Sequence, residues 1–201
     1  MLNCLKVSME LNANFWDNRY KENTTGWDLG QVSPPLKAYI DQLDDKNSSI
    51  LIPGCGNCYE AEYLIQKGFS SITLIDLSPT LMEQLRERFR NNVGVKIITG
   101  DFFNHSGKYD LIFEQTFFCA INPALRKQYV SKMAELLKQG GRLVGVLFSR
   151  EFEKEGPPFG GSEKEYRILF ESHFNDITFE HCYNSFPARM DTELFVNLRK
   201  K

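Results

Sequence analysis

The chain has 201 residues, 42% hydrophobic and 25% charged, a length and balance that suit one domain spanning 1–201 with a substantial buried core. With 24 Lys and Arg against 26 Asp and Glu, the net charge of −2 offers no electrostatic footprint for a nucleic-acid backbone, so no nucleic-acid partner is expected. No apolar run approaches a membrane span, and Met1 to Lys21 lacks the apolar core and cleavage site of a signal peptide; the expectation is a cytoplasmic protein with no membrane partner.

In chain order, residues Asn14 to Gln31 form a section dense in aromatics and charges, and Ser33-Pro34-Pro35 opens a helix whose apolar residues run from Leu36 to Leu43. Ile50 to Ile52 reads as a buried strand followed by the turn Pro53-Gly54-Cys55-Gly56-Asn57 and a helix carrying Ala61, Leu64 and Ile65 that stops at Gly68. A second strand, Ser71 to Ile75, ends at Asp76, and Ser78-Pro79 opens a helix to about Asn91 with Leu81, Leu85 and Phe89 on one face. Val95 to Ile98 is a third strand leading into Gly100-Asp101-Phe102-Phe103, and Tyr109 to Phe113 a fourth. The spacing then predicts a helix over Pro123 to Lys138, stopped by Gly140-Gly141, and a fifth strand over Leu143 to Phe148. Continuous apolar strands alternating with helices indicate a parallel sheet covered on both faces. Ile177 to Tyr183 and Leu194 to Leu198 are joined through Pro187 with no helix between, so they should pair antiparallel.

The turn after the first strand carries the functional signal. Gly54 and Gly56 let the backbone pass close to a ligand, and Asp76 at the next strand end can accept hydrogen bonds from both hydroxyls of a ribose. Tyr59 stands where a dinucleotide fingerprint wants a third glycine to pack a helix under a pyrophosphate, which argues against a nicotinamide cofactor. Cys4, Cys55, Cys58, Cys119 and Cys182 are an odd, scattered set that makes no disulfide framework, and the Cys55-x-x-Cys58 pair lacks a second ligand pair, so no metal is expected. His105, His173 and His181 form no motif with one another.

A mostly parallel, seven-stranded α/β sheet with a C-terminal antiparallel hairpin resembles the Rossmann-like class I methyltransferases, whose cofactor S-adenosylmethionine has no phosphate. Several stretches resemble the thiopurine S-methyltransferase family more closely: Phe15-Trp16-Asp17-Asn18-Arg19-Tyr20, Gly26-Trp27-Asp28-Leu29-Gly30-Gln31, Pro53-Gly54-Cys55-Gly56, Phe117-Phe118-Cys119-Ala120-Ile121-Asn122-Pro123, Gly156-Pro157-Pro158-Phe159 and Phe186-Pro187-Ala188-Arg189. They occur in order over nearly the whole chain and lie nearest the thiol and halide methyltransferase branch. Tyr20 stands where the family usually has Trp, Gln115 where relatives show Tyr or Arg, and Met190-Asp191 where relatives have basic and glycine residues.

The resemblance implies that residues 1–45 cover the cofactor, with Trp16, Tyr20 and Trp27 shielding its sulfonium. Gly54 would approach the methionine portion, Asp76 would hold the ribose hydroxyls, and Gly56 and Leu77 would also bind the cofactor. Asp101 and Phe102 would meet the adenine and Gln115 the methionine end, while Phe117, Phe118, Phe159 and Arg189 would line the acceptor pocket. No catalytic residue is assigned, because a thiolate, bisulfide or halide is already nucleophilic; the protein supplies alignment and exclusion of water, and positioning alone can be worth about 7–11 kcal/mol. Each assignment has a structural alternative. The phenylalanines could be core, the tryptophans a docking patch, Asp76 and Asp101 caps of the turns that follow, and Arg189 a solvated charge. The functional expectation is methyl transfer to a small thiol or soft anion. Its alternatives are methylation at N or O of another small molecule, and a module that binds the cofactor without transferring anything.

Overall fold

The computed structural model describes residues 10–201, so Cys4 and the first nine residues of the N-terminal section lie outside the described residues. The elements are α1 (Ala13–Lys21), α2 (Pro34–Ile40), β1 (Ile50–Pro53), α3 (Tyr59–Gln66), β2 (Ile72–Asp76), α4 (Pro79–Arg88), β3 (Val95–Thr99), β4 (Tyr109–Gln115), α5 (Arg126–Leu136), β5 (Leu137–Phe148), α6 (Glu163–Phe170), β6 (Phe174–His181) and β7 (Glu193–Lys200). They build a seven-stranded sheet in the order β3-β2-β1-β4-β5-β7-β6. Strands β1 to β5 pair parallel, and β7 inserts between β5 and β6, antiparallel to both. This is the expected architecture, hairpin included.

The pleat explains why the strands read as continuous apolar runs. In β1, Ile50 and Ile52 face a cluster with Leu36, Ala61, Leu64 and Leu81, while Leu51 faces the opposite cluster with Ile112, Tyr129 and Phe118. In β4, Leu111 and Phe113 belong to the first cluster and Ile112 to the second. Both sheet faces are therefore covered by helices, and neither side of a central strand can be polar without a partner.

The structure departs from the sequence expectation in several elements. Residues 13–21 are helical: the Asn12 side chain accepts the Phe15 N–H at 3.0 Å as an N-cap. Helix α5 ends at Leu136 and β5 starts directly at Leu137, so Gly140 and Gly141 lie inside the strand instead of stopping a helix. A Cβ on Gly141 would stand 3.0 Å from the Asp110 carbonyl oxygen, so this glycine admits the β4 backbone. Helix α6 has no counterpart in the sequence expectation; it is opened by a capping box in which Ser162 and Glu165 exchange hydrogen bonds. Strand β6 runs from Phe174 to His181, with its register to β7 shifting between Asn175 and Thr178.

One polar side chain is sealed inside the sheet layer. Glu114, fully buried near the end of β4, accepts the Phe118 N–H at 3.1 Å and the Tyr129 hydroxyl. Burial pushes its carboxyl up to about 7, opposed by the Tyr129 hydroxyl and by the Phe118 and Phe117 N–H groups. The folded protein thus holds this proton more tightly than the unfolded chain, and the stabilisation is complete below the ordinary value of 4.5 and lost as pH rises through about 7. Glu114→Gln mimics the protonated form. The stability difference between wild type and this variant, measured by urea unfolding, should change by up to about 1.4 kcal/mol per pH unit across that window, the wild type losing ground as pH rises. A pH-independent difference would show that Glu114 titrates normally.

Candidate active site

The C-terminal ends of β1, β2, β3 and β4 open into a cavity of about 790 Å³, roofed by the N-terminal section and by the loop after β5. Its floor is the turn between β1 and α3. Gly54, Gly56 and Cys58 all take positive φ, at 54°, 53° and 54°. At Gly54 the reason is contact as well as conformation: a Cβ there would lie 2.2 Å from Cδ2 of Phe117, so the ring rests directly on the glycine backbone.

Asp76 lies beside this turn at the end of β2. One carboxyl oxygen accepts the Ser78 N–H at 3.0 Å and the other the Gly56 N–H at 3.3 Å. Burial raises its pKa, against which these N–H groups and that of Leu77 work. A carboxylate has about four acceptor positions, so Asp76 keeps room for donors in the cavity, which both Asp76 and Leu77 line. Asp101 does cap the turn that follows β3, accepting the Phe103 N–H at 2.9 Å, and it also lines the cavity. Phe102 lines it from a buried position, with its ring edge-on to Phe117 at 5.4 Å. Gln115 offers a buried amide Nε2 that has no hydrogen-bond partner among the described residues. A donor left bare at a cavity wall is costly unless a ligand satisfies it.

The roof is an aromatic cluster. Trp27 meets Trp16 edge-to-face at 5.5 Å and Tyr20 at 5.9 Å, and a Cβ on Gly56 would stand 3.5 Å from the Tyr20 hydroxyl. Burial and the nearby Asp76 charge push the Tyr20 phenol far up, so it stays neutral. All three rings line the cavity.

Polar ties hold this roof in place, and sequence motifs disclose few of them. Asp17, buried on α1, accepts the Ser78 hydroxyl at 2.7 Å, the Thr80 N–H at 2.8 Å and the Lys21 ammonium at 2.7 Å. Burial works against the charge, yet Lys21, Ser78 and Thr80 together hold the carboxyl well below the usual range. Asp28 accepts from Tyr59 at 3.2 Å, from the Asn57 amide and from the Gly30 N–H at 2.8 Å, tying the roof to the glycine turn. Glu60 on α3 accepts the Ser33 N–H at 3.0 Å. Arg189 donates to the Trp27 carbonyl at 2.6 Å and to Glu193 at 3.2 Å, both side chains being buried. It lines the cavity, but its charge is already paired.

Two pocket expectations are corrected. Phe118 is fully buried among Tyr129, Tyr166 and Phe170, at ring distances of 5.1, 5.3 and 5.8 Å, and lies outside the cavity lining. Thr116 takes a φ of 57°, a kink after which Phe117 faces the cavity and Phe118 the core. Phe159 is also outside the lining, where Pro157 and Pro158 of the same loop take its place. Cys55 and Cys58 are buried free thiols on the cavity floor. Among the described residues no cluster of three or more His, Cys, Asp or Glu side chains could hold a metal ion. Nor is any helix among them long and apolar enough to cross a membrane.

Comparison with solved structures gives the fold class. A 1,6-didemethyltoxoflavin-N1-methyltransferase from Burkholderia thailandensis, with S-adenosylhomocysteine bound, superposes with a TM-score of 0.72 at 18% identity, covering 94% of this chain and 87% of that one. The chain has the class I S-adenosylmethionine-dependent methyltransferase fold. The sequence profile of the thiopurine S-methyltransferase family matches residues 11–193, and the chain belongs to that family. It is 30% identical to a probable thiol methyltransferase 2 from Arabidopsis thaliana, over 97% of this chain and 84% of the relative. A thiocyanate methyltransferase 1 from Brassica oleracea is 27% identical over 92% of this chain and 84% of its own length. The protein is accordingly an S-adenosylmethionine-dependent methyltransferase.

The roof yields a prediction independent of chemistry. Asp17→Ala strands the Ser78 and Thr80 donors, a loss of about 1–3 kcal/mol. Amide exchange in residues 13–21 should accelerate roughly 10- to 100-fold while β1 and β4 amides keep their rates. Unchanged exchange in α1 would mean that Asp17 does not hold the roof down.

Proposed function

We propose that this methyltransferase acts on a small thiol or soft inorganic anion, by positioning instead of by base catalysis. The observation that carries the reading is that no histidine lines the cavity among the described residues. The carboxylates that line it, Glu10, Asp28, Glu60, Asp76 and Asp101, each already accept a backbone or side-chain donor. Glu114, whose carboxyl at about 7 would suit a general base, is shut behind Phe117 and Phe118 and committed to Tyr129. An acceptor used here must arrive already nucleophilic. The names of the Arabidopsis and Brassica relatives, a thiol and a thiocyanate methyltransferase, support the same reading.

S-Adenosylmethionine supplies an electrophilic methyl group on a sulfonium. The remaining work belongs to the chain. Asp76, beside Leu77, would accept the ribose hydroxyls, while Gly54 and Gly56 would let the ligand approach the backbone closely. Phe102 and Asp101 would meet the adenine, the ring by stacking and the carboxylate by accepting from the amino group. Gln115 gives its unpaired N–H to the methionine end. Trp16, Tyr20 and Trp27 close the roof, their π-faces favouring a cation and their bulk excluding water. Phe117 together with Ile121, Phe148, Pro157 and Pro158 makes an apolar, polarizable acceptor wall.

Release of S-adenosylhomocysteine with bisulfide, thiocyanate, iodide, an aromatic thiol and 6-mercaptopurine tests the acceptor class. Turnover of at least one is expected. With thiocyanate, which stays anionic, kcat/KM should be flat between about pH 6 and 9, since no base must be deprotonated. Silence across the panel with cofactor still bound, or a limb of the pH profile near 7, would contradict the reading. Asp76→Ala should weaken S-adenosylhomocysteine binding in calorimetry by about 10- to 100-fold, and unchanged affinity would place the ribose elsewhere.

A further inference from the structure

The acceptor wall is made from two loops, and a single arginine joins them. The loop after β4 contributes Ala120, Ile121 and Asn122 to the cavity, and the loop after β5 contributes Lys154, Pro157 and Pro158. Arg126, at the start of α5, donates through Nη2 to the carbonyl oxygens of Phe159 at 3.2 Å and Gly160 at 2.9 Å. Its guanidinium lies 4.6 Å above the Phe118 ring and 5.7 Å from that of Tyr166. The Phe159 N–H completes the join by donating to the Cys119 carbonyl at 2.6 Å.

We propose that Arg126 is a positioning residue for the methyl acceptor, fixing the Pro157-Pro158 segment against the Phe117–Asn122 loop and so setting the shape of the acceptor wall. The inference rests on the methyl-transfer reading of this cavity. It also accounts for two family motifs whose rings do not reach the ligand space. Phe118 serves as the platform under the guanidinium, and Phe159 contributes its backbone.

Stability alone does not explain the residue. The Arg126 Nε–H is buried with no partner among the described residues, and no carboxylate is paired with the side chain in any ion pair of the described residues. A desolvated charge that is only partly satisfied is often matched in stability by an apolar residue of similar volume. What an apolar residue cannot do is bridge two carbonyls of a second loop in one plane. Lysine keeps the charge but lacks the flat guanidinium face that lies over the Phe118 ring.

The test compares Arg126→Lys and Arg126→Met with wild type, using an acceptor that the wild type turns over. For both variants the acceptor KM should rise about tenfold or more, with kcat at saturation and S-adenosylhomocysteine affinity within about twofold, because the wall and not the cofactor site has loosened. Trypsin should cleave after Arg150 or Lys154 about tenfold faster in the variants, reporting release of the loop without any need for turnover. An unchanged KM, or a loss of cofactor affinity in step with KM, overturns the proposal. If Arg126→Met does not fold, Arg126→Lys decides alone. No turnover in the wild type would count against the acceptor reading, and proteolysis would then decide the clamp by itself: an unaccelerated cleavage overturns it.

Discussion

The site is organised around the contact between the Phe117 ring and the bare backbone of Gly54. With a would-be Cβ only 2.2 Å from the ring, no other residue fits at that position without moving the β4 loop. The contact lies where the paired strands β1 and β4 end, and the positive φ of Gly54, Gly56 and Thr116 flanks it on both sides. Once the turn is shaped this way, the Gly56 N–H points at Asp76, which the β1–β2 pairing has carried to the same edge. Floor, carboxylate and first wall of the cavity thus depend on one close approach.

Behind that wall, polar groups orient where apolar groups would give only adhesion. Glu114 accepts the Phe118 N–H and the Tyr129 hydroxyl, and Tyr129 packs on Phe102, Phe117 and Phe118 at ring distances of 5.7, 5.9 and 5.1 Å. The carboxyl orients the loop that carries the cavity wall, while its burial keeps it from the ligand. The roof follows the same logic. Asp17, Asp28 and Arg189 each commit their charge to backbone or side-chain groups of another element, fixing the aromatic cluster over the turn. The base-free methyl transfer proposed for this site needs this kind of rigidity, because alignment and dryness would be all that the protein adds.

Much of the fold is legible in the sequence because central strands buried on both faces cannot hide: Ile50-Leu51-Ile52 and Ile72 to Ile75 read as strands under any register. The glycine turn, Asp76 and the antiparallel hairpin are legible for similar reasons of local constraint. The rest is hidden wherever local information stands for a non-local fact. Gly140-Gly141 looks like a helix stop, yet the backbone of β4 passes there. Ser162-x-x-Glu165 is a readable capping box, masked by the loop-rich stretch around it. Helix α1 escapes notice because its buried position is Asp17, which tertiary partners satisfy. Phe117 and Phe118 are neighbours in sequence and chemically identical, and only the kink at Thr116 decides which one meets the cavity. Arg189 has a partner four residues away in Glu193, but helical spacing does not apply across the turn that joins them.

The most direct test of the central claim is a crystal structure of the protein with S-adenosylhomocysteine bound. The account predicts both ribose hydroxyls within hydrogen-bond distance of Asp76, the unpaired Gln115 amide satisfied at the amino-acid end, and the thioether enclosed beneath Trp16, Tyr20 and Trp27. An adenosyl group seated away from Asp76, or a roof cluster that leaves the sulfur open to solvent, would contradict it.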